Sequence, residues 1–114
     1  MLFEPHTPDR YKPEYTVLIR RFTEVLAKTG PRRTKLGSAV SLIHPGQGIE
    51  EHKHPVTEFL YLINGQATVW VEGETQVLHE GDIVVLPPDK LHRVLNTGND
   101  SFRLFSFWWS EEEK

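Results

Sequence analysis

From Leu36 onward the chain alternates short apolar runs with turn-forming clusters: "HPGQG", "NG", "EG", "HEGD", "PPDK" and "NTGND". Runs of about 5–7 residues with this punctuation predict strands joined by turns, and so an antiparallel sandwich or barrel. Asn64-Gly65, between "EFLYLI" and "QATVWV", predicts a type I′ hairpin, a turn that needs positive φ at both central positions. Upstream, "TVLIRR" reads as a strand, while "FTEVLAKTG" fits a short helix that Gly30 and Pro31 would stop. Residues 1–14, broken by prolines and charges, predict an N-terminal arm, and residues 15–114 a single domain. In "FRLFSFWW", Phe102, Leu104, Ser106 and Trp108 share one face and Arg103, Phe105, Phe107 and Trp109 the other. Both faces are largely apolar. That predicts a strand packed between two layers; a dimer interface or an aromatic platform beside a pocket are the functional readings, and Trp70 is similarly ambiguous.

Composition narrows the chemistry. A chain of 114 residues with 38% hydrophobic residues suits one core. The formal charge of −3 and the scattered basic residues give no nucleic-acid footprint. Cysteine is absent, which excludes disulfides, zinc ribbons and thiol nucleophiles and leaves histidine, carboxylate and water as metal ligands. The N-terminal stretch carries neither a signal-peptide core nor a membrane span, so a cytoplasmic protein with no membrane partner is expected.

Against that background "EEHKHPVTEFLYLI" stands out. An H-x-H pair by itself is more often two surface histidines. In a helix His52 and His54 would diverge and Pro55 would sit inside at a cost of about 3 kcal/mol. In a strand the pair projects from one face, Pro55 ends the strand, and Glu58 opens the next with the parity of Leu60 and Leu62. If those leucines face inward, so does the carboxylate, and a buried carboxylate needs a cationic partner. His92 alternates in phase with Val94 and Asn96 and offers a further imidazole. Three imidazoles and a carboxylate suit one divalent Fe, Mn, Ni, Cu or Zn ion, with two positions of an octahedron left open. His6, His44 and His79 read as arm and turn residues, and Glu50 and Glu51 as solvated.

These residues resemble the cupin superfamily. Gly46, His52, His54, Glu58 and Gly65 match its first motif, G-x5-H-x-H-x3-E-x6-G, at every spacing. Gly81, Pro87, His92 and Asn96 match the second, G-x5-P-x-G-x2-H-x3-N, with Asp89 standing where the pattern has glycine. Asp enters the left-handed region more readily than most residues, so the turn is expected to survive. The resemblance implies an all-β, single-domain jelly-roll barrel with at most a short N-terminal helix, and a metal inside one end held by His52, His54, Glu58 and His92.

A fold of this kind hosts many chemistries. One reading is an enzyme, a dioxygenase-like oxidoreductase or a Lewis-acid isomerase or lyase, acting on a small oxygen-bearing metabolite, with Glu58 detaching as a catalytic base. The other is a non-catalytic module that binds or senses a small molecule through its metal. Apolarity on both faces of "LFSFWW" and "EFLYLI" predicts a homodimer, with Phe105, Phe107 or Trp109 near the contact.

Overall fold

The structure, a computed structural model, describes residues 1–28 and 34–111. A 3-10 turn at Pro8–Arg10 leads into β1 (Lys12–Glu14), β2 (Val17–Arg21), a short helix α1 (Thr23–Ala27) and β3 (Thr34–Ile43). Then follow β4 (Gly48–His52), β5 (Thr57–Leu62), β6 (Gln66–Val71), β7 (Glu74–His79), β8 (Ile83–Leu86), β9 (His92–Leu95) and β10 (Phe102–Glu111). The expected helix is present; Gly30 and Pro31, expected to stop it, lie outside the described residues. Lys12–Glu14, within the expected arm, pair with β2 at the sheet edge.

The strands form two antiparallel sheets, β1-β2-β3-β10-β5-β8 and β4-β9-β6-β7, which is the all-β jelly roll that the periodicity and the motifs predict. Strand register arranges the inner face of the larger sheet in rows. Ile19, Ser41, Leu104 and Leu62 form one row, and Arg21, Ala39, Ser106, Leu60 and Val84 the next. Gly37, Trp108, Glu58 and Leu86 form the row beyond. Large buried side chains, Ile43, Phe102, Leu62 and Leu104, fill one end against Val69 and Val94 of the smaller sheet. Toward the other end the rows carry smaller residues, Ala39, Ser106 and Gly37, and the interior opens. Gly37 is required there: a Cβ would lie 2.4 Å from the Trp108 indole, so glycine is what lets that ring lie flat on β3.

One turn differs from expectation. β5 and β6 belong to different sheets, so Asn64-Gly65 is a crossover between layers and not a hairpin. Gly65 has φ 78°, but Asn64 is not left-handed. Its amide instead serves the neighbouring strand: Asn64 Nδ2 donates to Ser101 O (3.1 Å), and Arg103 N donates to Asn64 Oδ1 (3.0 Å). A short antiparallel hairpin lies instead at Glu72-Gly73, where both residues are left-handed (φ 46° and 88°) between β6 and β7.

Candidate metal centre

The smaller sheet and the loop after it supply three imidazoles. His52 ends β4 and pairs in register with His92, the first residue of β9, and a bulge between Ile49 and His52 adjusts the strand. β4 stops at His52, three residues before Pro55, so His54 lies beyond the ladder and not in it as expected. Its carbonyl is held instead by Asp89 N (2.9 Å), and Asp89 itself sits at φ 62°. The left-handed turn expected of a glycine is therefore kept by aspartate, and it clamps the two motifs together. The ring centroids of His52, His54 and His92 lie 4.4–5.3 Å apart, and each ring offers a nitrogen within 4.8 Å of the others.

Glu58 reaches in from the opposite sheet, on the inner face with Leu60 and Leu62. Its Oε1 lies 3.6 Å from His92 Nε2 and 3.8 Å from His54 Nε2. The four residues singled out in the sequence thus meet between the two layers at the open end of the barrel. The carboxylate is mostly buried, with 13% of its side chain exposed. Burial pushes its pKa up to about 7, against a smaller opposing pull from the Arg21 charge. Burial also pushes His92 down to about 4 and lowers His54, so the ring nitrogens of both favour the neutral, ligating form.

The surroundings fix which nitrogens are free. His52 Nδ1 lies 2.8 Å from Glu50 O, and His92 Nδ1 lies 2.9 Å from Lys90 O. A carbonyl accepts only, so in each ring Nδ1 carries the proton and Nε2 the lone pair. The buried His92 Nε2 has no hydrogen-bond partner, and neither has His54 Nδ1. Unsatisfied buried nitrogens are uncommon and call for an occupant. Neutral imidazoles with free lone pairs, facing a carboxylate, fit a divalent transition metal. Asn96 plays another part: its buried amide donates to Ile43 O (2.9 Å) and Asp100 O (2.8 Å), tying β9 to the ends of β3 and β10.

A cavity of about 260 Å³ opens beside the histidines. Ile19, Leu60, Val94 and Leu104 line its depth, with Tyr15, Arg21 and Trp108 on its walls. Two of these residues escape the sequence reading. Arg21 shares the parity of the inward Val17 and Ile19, a signal available in "TVLIRR". Tyr15 had no signal: Tyr15 and Thr16 form a left-handed turn (φ 49° and 66°) without glycine or asparagine. The Tyr15 ring stacks on His52, with centroids 4.7 Å apart and planes 23° from parallel, while Thr16 Oγ1 donates to Gly48 O. Tyr61, His44 and His79 are exposed, and Glu50 and Glu51 are solvated as expected.

Comparison with known proteins agrees with this architecture. The family described as Cupin domain matches residues 39–108, which include every strand that carries the cluster. The chain is 35% identical over 66 residues to the polyketide synthase CurC of Streptomyces cyaneus, covering 57% of this chain and 43% of that protein. It is 38% identical over 56 residues to the tetracenomycin polyketide synthase protein TcmJ of Streptomyces glaucescens, covering 48% of this chain and 38% of that protein. The chain thus spans less than half the length of these relatives. Among solved structures, a cupin 2 conserved barrel domain protein from Salinispora arenicola superposes with a TM-score of 0.79 at 23% identity, covering 96% of this chain and 89% of that one. The plu4264 protein of Photorhabdus luminescens gives 0.80 at 22% identity, covering 96% and 88%. With the family domain spanning more than half of its length and the two-sheet barrel beneath it, this chain belongs to the cupin family.

Proposed function

We propose that the chain is a metal-dependent enzyme, a dioxygenase or a Lewis-acid isomerase or lyase, in which His52, His54, Glu58 and His92 hold one divalent ion. The observation that carries this reading is the buried, unpartnered Nε2 of His92 aimed toward Glu58 and the other two rings. The likeness to polyketide synthase proteins supports an oxygen-rich, polyketide-derived compound as the metabolite. The bound ion would supply Lewis acidity or, as Fe(II), redox chemistry. The chain's own residues do the rest. Backbone carbonyls of Glu50 and Lys90 hold the His52 and His92 rings in one tautomer. Ile19, Leu60, Val94 and Leu104 keep water from the reacting end. Glu58, once its carboxylate detaches from the ion, would be the base that takes a proton from the substrate.

We also propose a homodimer formed through the outer face of the larger sheet. Two apolar rows lie there in register, Val40-Phe105-Tyr61-Ile83 and Phe107-Phe59-Val85. Ile83 and Val85 are about half exposed, at 54% and 50%. A flat, two-row surface can meet its own copy across a two-fold axis.

Protein purified without added metal should contain about one divalent ion per chain. Replacing His52 or His92 by Ala should remove most of that metal while the far-UV circular dichroism stays β-rich, since both side chains sit at the open end and not in the packed one. Metal content unchanged in both variants would overturn the site. Assay of oxygen-rich ring compounds with and without dioxygen then separates oxygenase from isomerase or lyase chemistry, and ligand-dependent stabilisation without turnover would identify a binding module instead.

A further inference from the structure

Arg21 is the one lysine or arginine side chain among the described residues lining the cavity beside the histidines. Its position is built into the fold. Val17, Ile19 and Arg21 alternate on the inner face of β2, the first two buried, and Arg21 lies opposite Ala39 in a row that continues through Ser106 to Leu60. Arg21 ends this row at the exposed mouth, with 39% of its side chain accessible, so its charge is free to extend into solvent and its place beside the cavity needs a reason.

Pairing accounts for part of it. Glu14 accepts from Arg21 Nε (2.7 Å) and Nη2 (2.8 Å), a two-point clasp that fixes the plane of the guanidinium. Nη1 takes no part in that clasp. The guanidinium also stands 5.7 Å from the centre of the Trp108 ring, the ring seated on Gly37. One further observation points inward. Trp108, which Arg21 flanks, is paired in register with Glu58 itself. Arg21, Trp108 and Glu58 thus share one mouth of the cavity, with the cation held in place before any ligand arrives.

We infer that Arg21 is a specificity-determining residue that recognises an anionic oxygen, carboxylate, enolate or phenolate, of a planar substrate lying between the Trp108 wall and the histidines. This rests on the same cavity being the substrate site. At about 260 Å³ the cavity lies just under the usual range for ligand pockets, so one or two rings, or one end of a larger molecule, would enter.

The test compares 2-hydroxybenzoate with 2-hydroxybenzamide, alike in shape and differing in the charged group, by calorimetry on the full chain, both metal-free and Zn(II)-loaded. Wild type should bind the acid about tenfold or more tightly than the amide. R21M should lose most of that preference and R21K should keep part of it, with bound zinc unchanged in both. The metal-free arm keeps this outcome separate from failure of the metal site. Wild type binding neither probe, wild type lacking the preference, or R21M retaining it in full would overturn the assignment. If R21M does not fold, R21K and R21Q provide the same comparison of charge kept and charge lost.

Discussion

Glu58 is in tension between stability and site chemistry. In the metal-free protein its carboxyl is raised to about 7 from an ordinary 4.5, so the folded state holds a proton that the unfolded state has released. The stability linked to that proton is complete below the unfolded value and is lost as pH rises from about 4.5 through about 7. Gln cannot ionise. Metal-free E58Q should therefore be more stable than wild type by roughly 2 kcal/mol at about pH 8, after discounting for residual solvent, and no more stable near pH 4. His92, lowered to about 4, acts in the opposite sense, its contribution being lost as pH falls below 6.5. That contribution is common to both proteins and drops out of the difference. Denaturant unfolding of the two at each pH measures it, and equal stabilities at the higher pH would contradict a buried, ionised Glu58. His52, Glu58 and His92 were legible in the sequence because a period of two fixes which neighbours share a face, whereas His54, outside the ladder, was legible through the spacing of the first cupin motif. Arg21 was equally legible by parity but reads at first as half of a basic pair. Tyr15 was not legible, since its backbone conformation is one that its residue type disfavours.

At the scale of elements, turn chemistry was read correctly as turn chemistry and wrongly as connectivity. Asn-Gly favours a hairpin only where both residues can be left-handed and the flanking strands can pair. Here β10 lies beside β5 and takes the hydrogen bonds that a hairpin partner would have had, and the side chain of Asn64 is spent on Ser101 and Arg103. Local sequence carries no information about a strand forty residues away. The observed hairpin at Glu72-Gly73 places a glutamate at φ 46°, where asparagine is better tolerated. E72N should therefore stabilise the protein by about 0.5–1 kcal/mol, seen as a higher denaturant midpoint with unchanged slope. N64A should destabilise it by about 1–2 kcal/mol through loss of the two bonds to β10. A lower midpoint in E72N would mean that the β6–β7 turn is not the left-handed pair described.

For the whole molecule, the two-sheet barrel accounts for the inward apolar residues, and the outer rows on β10, β5 and β8 remain. Burying them against a second copy should give a dimer at tens of micromolar in sedimentation, and V85D, which places a charge on a half-exposed outer position, should shift it toward monomer without loss of bound metal. A monomeric wild type would reject that interface. No helix among the described residues is long and apolar enough to cross a membrane. The Tyr15–Thr16 turn, finally, limits how far this molecule can be made more robust without altering its site. Neither residue is at ease in the left-handed region, least of all a β-branched threonine, and Asn-Gly in their place would relax the backbone. The same exchange would delete the ring lying on His52 and the hydroxyl that ties the sheet edge to Gly48. Selection for rigidity alone would erase this turn, so its presence marks a compromise between endurance and the shape of the histidine pocket.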